Sequence, residues 1–378
     1  MKNIIGFFKN ETVLCIAVIL ALVSAFFVGV DAEYINYIDF RTLALLFCLM
    51  TVMAGFQKTG VFTAMAQGLL RRVHSIKGLA LVPVMLCFFF SMLITNDVAL
   101  ITFVPFTFVI FDMIDTGKKD AMLISVVAMQ TTAANLGSML TPIGNPQNLY
   151  LYSLSGMGAG EFMMLMLPYT AVSFVLFLGW AALANGKRGV SIAFDKPVET
   201  GSRRHIAVYS ALFILCLLTV GRVIDWRVTT VIVTAAAAVN DRSVFSDVDY
   251  TLLATFAAFF VFIGNVGRIP LLQSGISGFI AGRECLTGIL SSQLISNVPA
   301  AILLSGFTDN IRELIVGVNL GGLGTLIASM ASLISFKMIG RNKKRLRGRY
   351  LLYFTAVNVI FLVLLLVCRG FIMQFTQN

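Results

Sequence analysis

Charge is scarce in this sequence. Asp, Glu, Lys and Arg make up 12% of its 378 residues, and hydrophobic side chains make up 58%. A water-soluble domain carries about twice that share of charge, so an ordinary soluble fold is excluded. Histidine is scarcer still. His74 and His205 are the only two, and each stands beside basic loop residues, which leaves little for a histidine-built centre. The six cysteines, Cys15, Cys48, Cys87, Cys216, Cys285 and Cys368, are scattered singly with no C-x-x-C spacing. That removes both a zinc site and a disulfide framework, and the cysteines are expected to be small buried hydrophobes. Neither H-E-x-x-H nor G-x-S-x-G occurs, so two signatures an intramembrane enzyme could carry are missing. The chain reads as a non-enzyme.

What the chain has instead is hydrocarbon. Its mean hydropathy is +0.91, and its length accommodates about ten to twelve spans of roughly 20 residues. Apolar runs predict spans near 12–30, 40–57, 161–184, 205–222, 227–240, 250–266 and 350–369, with more complicated regions at 78–116, 120–156 and 283–339. Lys2 and Lys9 ahead of the run Thr12 to Val30 resemble the start of a signal peptide. The run is long enough to span and no clear small-x-small site follows, so an uncleaved first helix is expected. Segments 59–73 and 267–281 are shorter and mixed, and each directly precedes a complicated region. Both are expected to lie along the membrane interface.

The net charge of +10 does not point to nucleic acid. The basic residues sit in loops between apolar runs, which is the pattern that orients membrane proteins. With the N-terminus in the cytoplasm, 21 of the 28 Lys and Arg residues fall on that side: Lys2, Lys9, Lys58, Arg71, Arg72, Lys77, Lys118, Lys119, Lys187, Arg188, Lys196, Arg203, Arg204, Arg242 and the run from Lys337 to Arg349. The external loops are acidic or neutral, as at Asp31-Ala32-Glu33. Segment 78–116 then enters and leaves from the cytoplasm, whereas 283–310 enters and leaves from outside. The expected architecture is an all-α polytopic membrane protein with an inverted-topology repeat, two re-entrant hairpins and two broken transmembrane helices. The C-terminus is expected outside.

Two polar motifs carry that repeat. Thr95-Asn96-Asp97 returns 201 residues later as Ser296-Asn297-Val298, and Asn135-Leu136-Gly137 is answered by Asn319-Leu320-Gly321. The first crossing holds Gly137, Thr141, Pro142, Gly144 and Pro146; the second holds Gly321, Gly322, Gly324 and Thr325. Proline removes a backbone donor and disfavours helix in the residue before it. Each stretch is therefore expected to be a helix broken in mid-membrane, where backbone survives only if buried in protein or lining a wet cavity. A broken helix offers N–H groups that suit an anion and carbonyls that suit a cation.

Asp97 stands apart as the only acidic residue well inside an apolar region. Intramembrane carboxylates are functional candidates by default. Three roles are open: ligand of a coupling cation, proton carrier, or structural partner of a neighbouring donor. A charged Asp97 repels a carboxylate substrate unless a cation or proton neutralises it.

With these residues assembled, the chain resembles the ion transporter superfamily. It is most similar to the divalent-anion/sodium symporters (citrate and dicarboxylate carriers) and their citrate-transporter-like permease relatives. The resemblance implies cation-binding residues Ser91, Thr95, Asn96 and Gly144 in the first half, and Ser292, Ile295, Asn297 and Ala328 in the second. It implies substrate contacts at Thr95, Asn96, Asn145, Ser296, Asn297 and Ser329. Asp97 joins both the cation-binding and the substrate-binding candidates on its own place at the tip. Residues 1–77 and 157–282 are expected to form a scaffold, and 78–156 and 283–339 the moving transport elements. Residues 340–378 supply a basic loop and a C-terminal span. The function implied is Na⁺- or H⁺-coupled transport of a small anion, citrate or a C4-dicarboxylate, by a homodimer in the cell membrane, with no cofactor beyond the coupling ion. Asp97 and Val298 stand where the family closes each tip with Thr. Arsenite efflux and Na⁺/H⁺ exchange, seen in related branches, are the alternatives; a channel and a non-transporting scaffold are remoter ones.

Overall fold

The computed structural model describes residues 11–113, 118–183 and 200–377. Lys2, Lys9, Lys187, Arg188 and Lys196, counted above toward the basic side, lie outside the described residues. The described residues form helices and connecting loops with no strand. In chain order the helices are α1 (Thr12–Val28), α2 (Tyr34–Tyr37), α3 (Phe40–Thr59), α4 (Val61–Leu70), α5 (Ile76–Ile94), α6 (Asn96–Met113), α7 (Lys119–Ser138), α8 (Pro146–Ser155) and α9 (Ala159–Leu183). They continue as α10 (Arg203–Val220), α11 (Trp226–Asn240), α12 (Tyr250–Gly267), α13 (Pro270–Ile280), α14 (Glu284–Ile295), α15 (Asn297–Ser305), α16 (Ile311–Leu320), α17 (Met330–Asn342) and α18 (Arg347–Gln377). Seven of these are long and apolar enough to cross a membrane. The protein is a multi-pass α-helical membrane protein.

The helix boundaries follow local chemistry. Asp39 accepts from the Thr42 N–H to open α3, and Gly60, at φ +65°, closes it in the left-handed conformation that glycine tolerates. Ser75, Ser202, Asp225, Asp249 and Asn310 open α5, α10, α11, α12 and α16 in the same capping manner. The apolar side chains on the outer helices do not seek a core. Phe26 on α1 is 91% exposed and Leu352 on α18 is 75% exposed, as a hydrocarbon solvent permits. Cys48, Cys87, Cys216 and Cys285 are buried free thiols.

Ion pairs and hydrogen bonds identify the two ends of the molecule. At one end Lys58 pairs with Asp241 and Asp247, Lys343 with Asp112, and Arg345 with Asp120, while Lys77 donates to the Ala182 carbonyl. At the other end Arg268 pairs with Asp31, Arg312 with Glu161, and Arg222 donates to the Gly156 carbonyl. Lys58, Lys77, Lys343 and Arg345 all belong to the set assigned to the cytoplasmic side from the sequence.

Packing divides the helices into two groups. Helices α5 to α8 and α14 to α17 pack on one another, and α9 and α18 lie against α7. Helix α12 packs on α1, and α3 packs on α10 and α11. The groups touch where α12 meets α15 and α3 meets α8. The chain passes between them through α4 and α13, which expose Met65 and Leu69, and Leu271 and Phe279, respectively.

Candidate functional site

Each hairpin turns on one residue that should resist the conformation it holds. Thr95 sits at φ 71°, ψ 152° and Ser296 at φ 75°, ψ 154°. This region is essentially reserved for glycine and costs about 1–3 kcal/mol for another residue. The next residue begins a helix in both cases. The Asn96 N–H donates to the Gly144 carbonyl at 3.2 Å, and the Asn297 N–H donates to the Ala328 carbonyl at 3.0 Å. Each tip is therefore hydrogen-bonded to the break of its own repeat.

Further equivalent contacts hold the tips in place. Thr141 donates through its hydroxyl to the Met92 carbonyl, and Thr325 to the Gln293 carbonyl. Gly137 packs directly on the α5 backbone at Phe88 and on Ser91, and Gly321 packs on Ile289 and Ser292. Ser91 and Ser292 are fully buried, and each donates within its own helix, to the Phe88 and Gly288 carbonyls. Ile295 ends α14 directly before the second tip.

The breaks end in capped half-helices. Asn145 accepts from the Asn148 N–H and opens α8, with Pro146 in its first turn; Ser329 accepts from the Ser332 N–H and opens α17. Pro142 lies between α7 and α8. The two repeats satisfy their broken backbones differently. In the first, the Asn148 amide donates to the carbonyls of Ser138, Met139 and Thr141. In the second, Gln293 reaches over from α14, donating to Gly321 and Leu323 and accepting from the Thr325 N–H, each at 2.9 Å. The side chain seats against Gly324, at φ 105°, where a Cβ would lie 2.4 Å from its Oε1.

One side chain joins the first tip to both breaks. Asn135 accepts from Asn96 Nδ2 at 3.1 Å and donates to Ser329 Oγ at 3.0 Å and the Gly322 carbonyl at 3.3 Å. Asn135, Asn148, Asn319 and Gln293 carry much of this geometry, yet none was singled out as a site residue from the sequence. The repeated Asn-Leu-Gly triplet flags Asn135 and Asn319; nothing local flags Gln293.

A cavity of about 270 Å³ opens beside the first tip. Thr95, Asp97 and Asn145 line it together with apolar residues of α3, and Asp247 and Asp249 lie at its wall. Ser296, Asn297 and Ser329 are not among its lining residues. Asp97 lies in the first turn of α6, where its N–H donates to Asn96 Oδ1 at 3.0 Å. Its Oδ1 is buried without a hydrogen-bond partner. Asp249 caps α12 by accepting from Leu252 N–H and Thr251. The ionisable side chains of the lining are thus Asp97, Asp247 and Asp249, with no Lys, Arg or His among them. Lys58, on Asp247 at 3.0 Å, stands behind that wall.

Strained tips, half-helices broken in register with them and a largely apolar cavity that carries three carboxylates, all inside an apolar bundle, define the class: a multi-pass membrane transporter. Comparison with known proteins supplies the family. The chain belongs to the citrate transporter family, whose profile matches residues 4–313. It is 32% identical over 323 residues to the inner membrane protein YbiR of Escherichia coli, covering 84% of each chain. It is also 32% identical over 337 residues to an uncharacterized transporter of Methanocaldococcus jannaschii, covering 88% of this chain and 90% of that one. A more distant similarity, 22% over 327 residues, is to an uncharacterized transporter of Mycobacterium tuberculosis, covering 80% of this chain and 73% of the relative.

Proposed function

We propose that this protein is a secondary active transporter that couples Na⁺ or H⁺ movement to transport of a small carboxylate, citrate or a C4-dicarboxylate, by alternating access. The observation that carries the reading is the pair of strained tips, each hydrogen-bonded to the break of its own repeat. Such an arrangement gathers helix ends, amides and hydroxyls at one place without basic side chains. The first cation site takes Ser91, Thr95, Asn96, Asp97 and Gly144; the second takes Ser292, Ile295, Asn297 and Ala328. Substrate meets Thr95, Asn96, Asn145, Ser296, Asn297 and Ser329.

The acid-lined cavity bears on the coupling. A bare polyanion is repelled by Asp97, Asp247 and Asp249, so the cation or proton must arrive with the substrate or before it. Helices α5 to α8 and α14 to α17, with α9 and α18 packed on them, form the moving body; α1, α3 and α10 to α12 form the scaffold and its dimer surface. Clustering of basic residues at one end favours a cytoplasmic N-terminus and an external C-terminus. The cavity then opens toward the cytoplasm, near Lys58.

Uptake of radiolabelled citrate into proteoliposomes, with Na⁺ or proton gradients imposed separately, tests the proposal. Saturable uptake driven by one gradient is expected. Non-saturating, gradient-independent flux would refute the carrier. The acid-only lining also favours a second reading, Na⁺/H⁺ exchange, which predicts ²²Na⁺ flux driven by a pH gradient without citrate.

A further inference from the structure

The two repeats match in their tips and caps, and beyond the different partners of their breaks they differ in one latch. Asn135 and Asn319 are equivalent, buried to 4% and 3% exposure, and each donates across to the opposite repeat. Asn135 Nδ2 reaches Ser329 Oγ at 3.0 Å, and Asn319 Nδ2 reaches Asn148 Oδ1 at 2.7 Å. Asn135 Oδ1 also accepts from Asn96. The matching bond is absent in the second repeat: Asn319 Oδ1 is buried with no partner. The Asn297 amide lies beside Gly322 instead, where a Cβ would meet its Nδ2 at 3.0 Å.

We propose that Asn135 is a positioning residue that couples the first hairpin tip to the second repeat's half-helix, and that Asn319 is its open counterpart. Asn135 holds Asn96 with one atom and Ser329 with the other, so displacing either side group releases the remaining one. A buried amide that loses one partner cannot recover it from solvent. Asn319 makes no hydrogen bond to Asn297, so the second tip lacks the bond that ties the first tip to the opposite repeat through Asn135. The two half-sites therefore respond unequally: the first is locked to its neighbour, and the second has an acceptor waiting for its own tip. The bearing of this coupling on ion and substrate binding rests on the transport reading above; the linkage itself does not.

Hydrogen exchange read by mass spectrometry on the full chain in nanodiscs, in Na⁺-free buffer without substrate, tests the linkage. Ser329→Ala leaves Asn135 and its bond to the Gly322 carbonyl in place and removes its hydroxyl acceptor in the second repeat, together with the α17 cap. Exchange at residues 93–98, in the other repeat, should rise by about threefold to tenfold, the scale of one buried hydrogen bond. Asn135→Ala should give the same rise, and Ser329→Thr, which keeps the hydroxyl, should restore protection. Ser332→Ala removes a neighbouring hydroxyl that Asn135 does not touch and should leave 93–98 unchanged. Asn319→Ala should leave 294–299 at the wild-type rate, because no bond to Asn297 exists to be lost. Wild-type exchange at 93–98 in Ser329→Ala, or an equal rise there in Ser332→Ala, would overturn the coupling. A rise at 294–299 in Asn319→Ala would overturn the asymmetry. Citrate uptake titrated with Na⁺ adds a functional readout, in which Asn135→Ala should lower the Hill slope toward 1. If wild-type uptake ignores Na⁺, the Na⁺ reading fails while the exchange comparison still decides the linkage.

Discussion

Replacing Gly137 by Ala probes the closest backbone approach in the site. A Cβ built there would lie 2.0 Å from the Phe88 carbonyl oxygen, 2.6 Å from Ser91 Oγ and 2.8 Å from the Phe88 carbonyl carbon. Two of the three obstacles are backbone, so no side-chain rotation relieves them. Helices α5 and α7 must part by about 1 Å to restore even the shortest tolerated contact. Overpacking of this kind costs about 1–3 kcal/mol, and the rigid obstacle puts Gly137→Ala at the upper end. At about 2.1 cal/mol/K of unfolding entropy per residue, a chain of 378 residues shifts by roughly 1.3 °C per kcal/mol, so thermal unfolding in detergent should shift down by on the order of 3–4 °C. The functional loss should be larger. The same parting pulls on the Thr141–Met92 and Asn96–Gly144 bonds that seat the first tip, and a binding constellation tolerates only about 0.5 Å of misplacement. Citrate with Na⁺ should raise the melting temperature of the wild type and fail to raise that of Gly137→Ala. The control is Gly179→Ala on α9, where a Cβ meets nothing within 4 Å. It should be neutral or stabilising, by up to about 1 kcal/mol. If Gly137→Ala melts and transports like the wild type, or if both variants lose equally, the close-approach argument is wrong.

Five other substitutions test separate parts of the site. Asp97→Asn should leave the protein folded, since Asp97 Oδ1 has no partner to lose, and should change the ion or pH dependence of uptake; unchanged dependence would make Asp97 structural. Asn96→Ala and Asn297→Ala should each abolish uptake in proteoliposomes, and survival of transport in either would undermine the two-fold reading. Gln293→Leu strips partners from Gly321, Leu323 and Thr325. It should lower stability by about 2–4 kcal/mol, seen as a fall in melting temperature, and Gln293→Glu should recover only the bond to the Thr325 N–H.

Several features of the site are local and were legible in the chain. Pro142 and Pro146, with Gly144 between them, disfavour helix over one short stretch, and Asn145 and Ser329 stand ahead of helical runs as caps. The strain at Thr95 and Ser296 was not legible, because neither residue type signals a positive φ. Only their shared place before an Asn hinted at a turn. Helices α4 and α13 were expected as mixed segments and form as short helices with exposed apolar faces. The hairpins differ more than their matching letters suggest. The first has arms of 19 and 18 residues, each long enough to cross a membrane, while the second has arms of 12 and 9.

Sequence alone determined that this chain lives in a membrane and that it repeats a tip and a break. Hydropathy, helix breaking and loop charge are properties of short segments, and they act in any fold. Tertiary structure alone decided which groups face one another. Asn135 meets Ser329 194 residues away, Asn319 meets Asn148 171 residues away, and Asp97 shares a cavity with Asp249. Buried amides and carboxylates take their roles from the partners that remain once water is excluded. Those partners are set by how the helices pack.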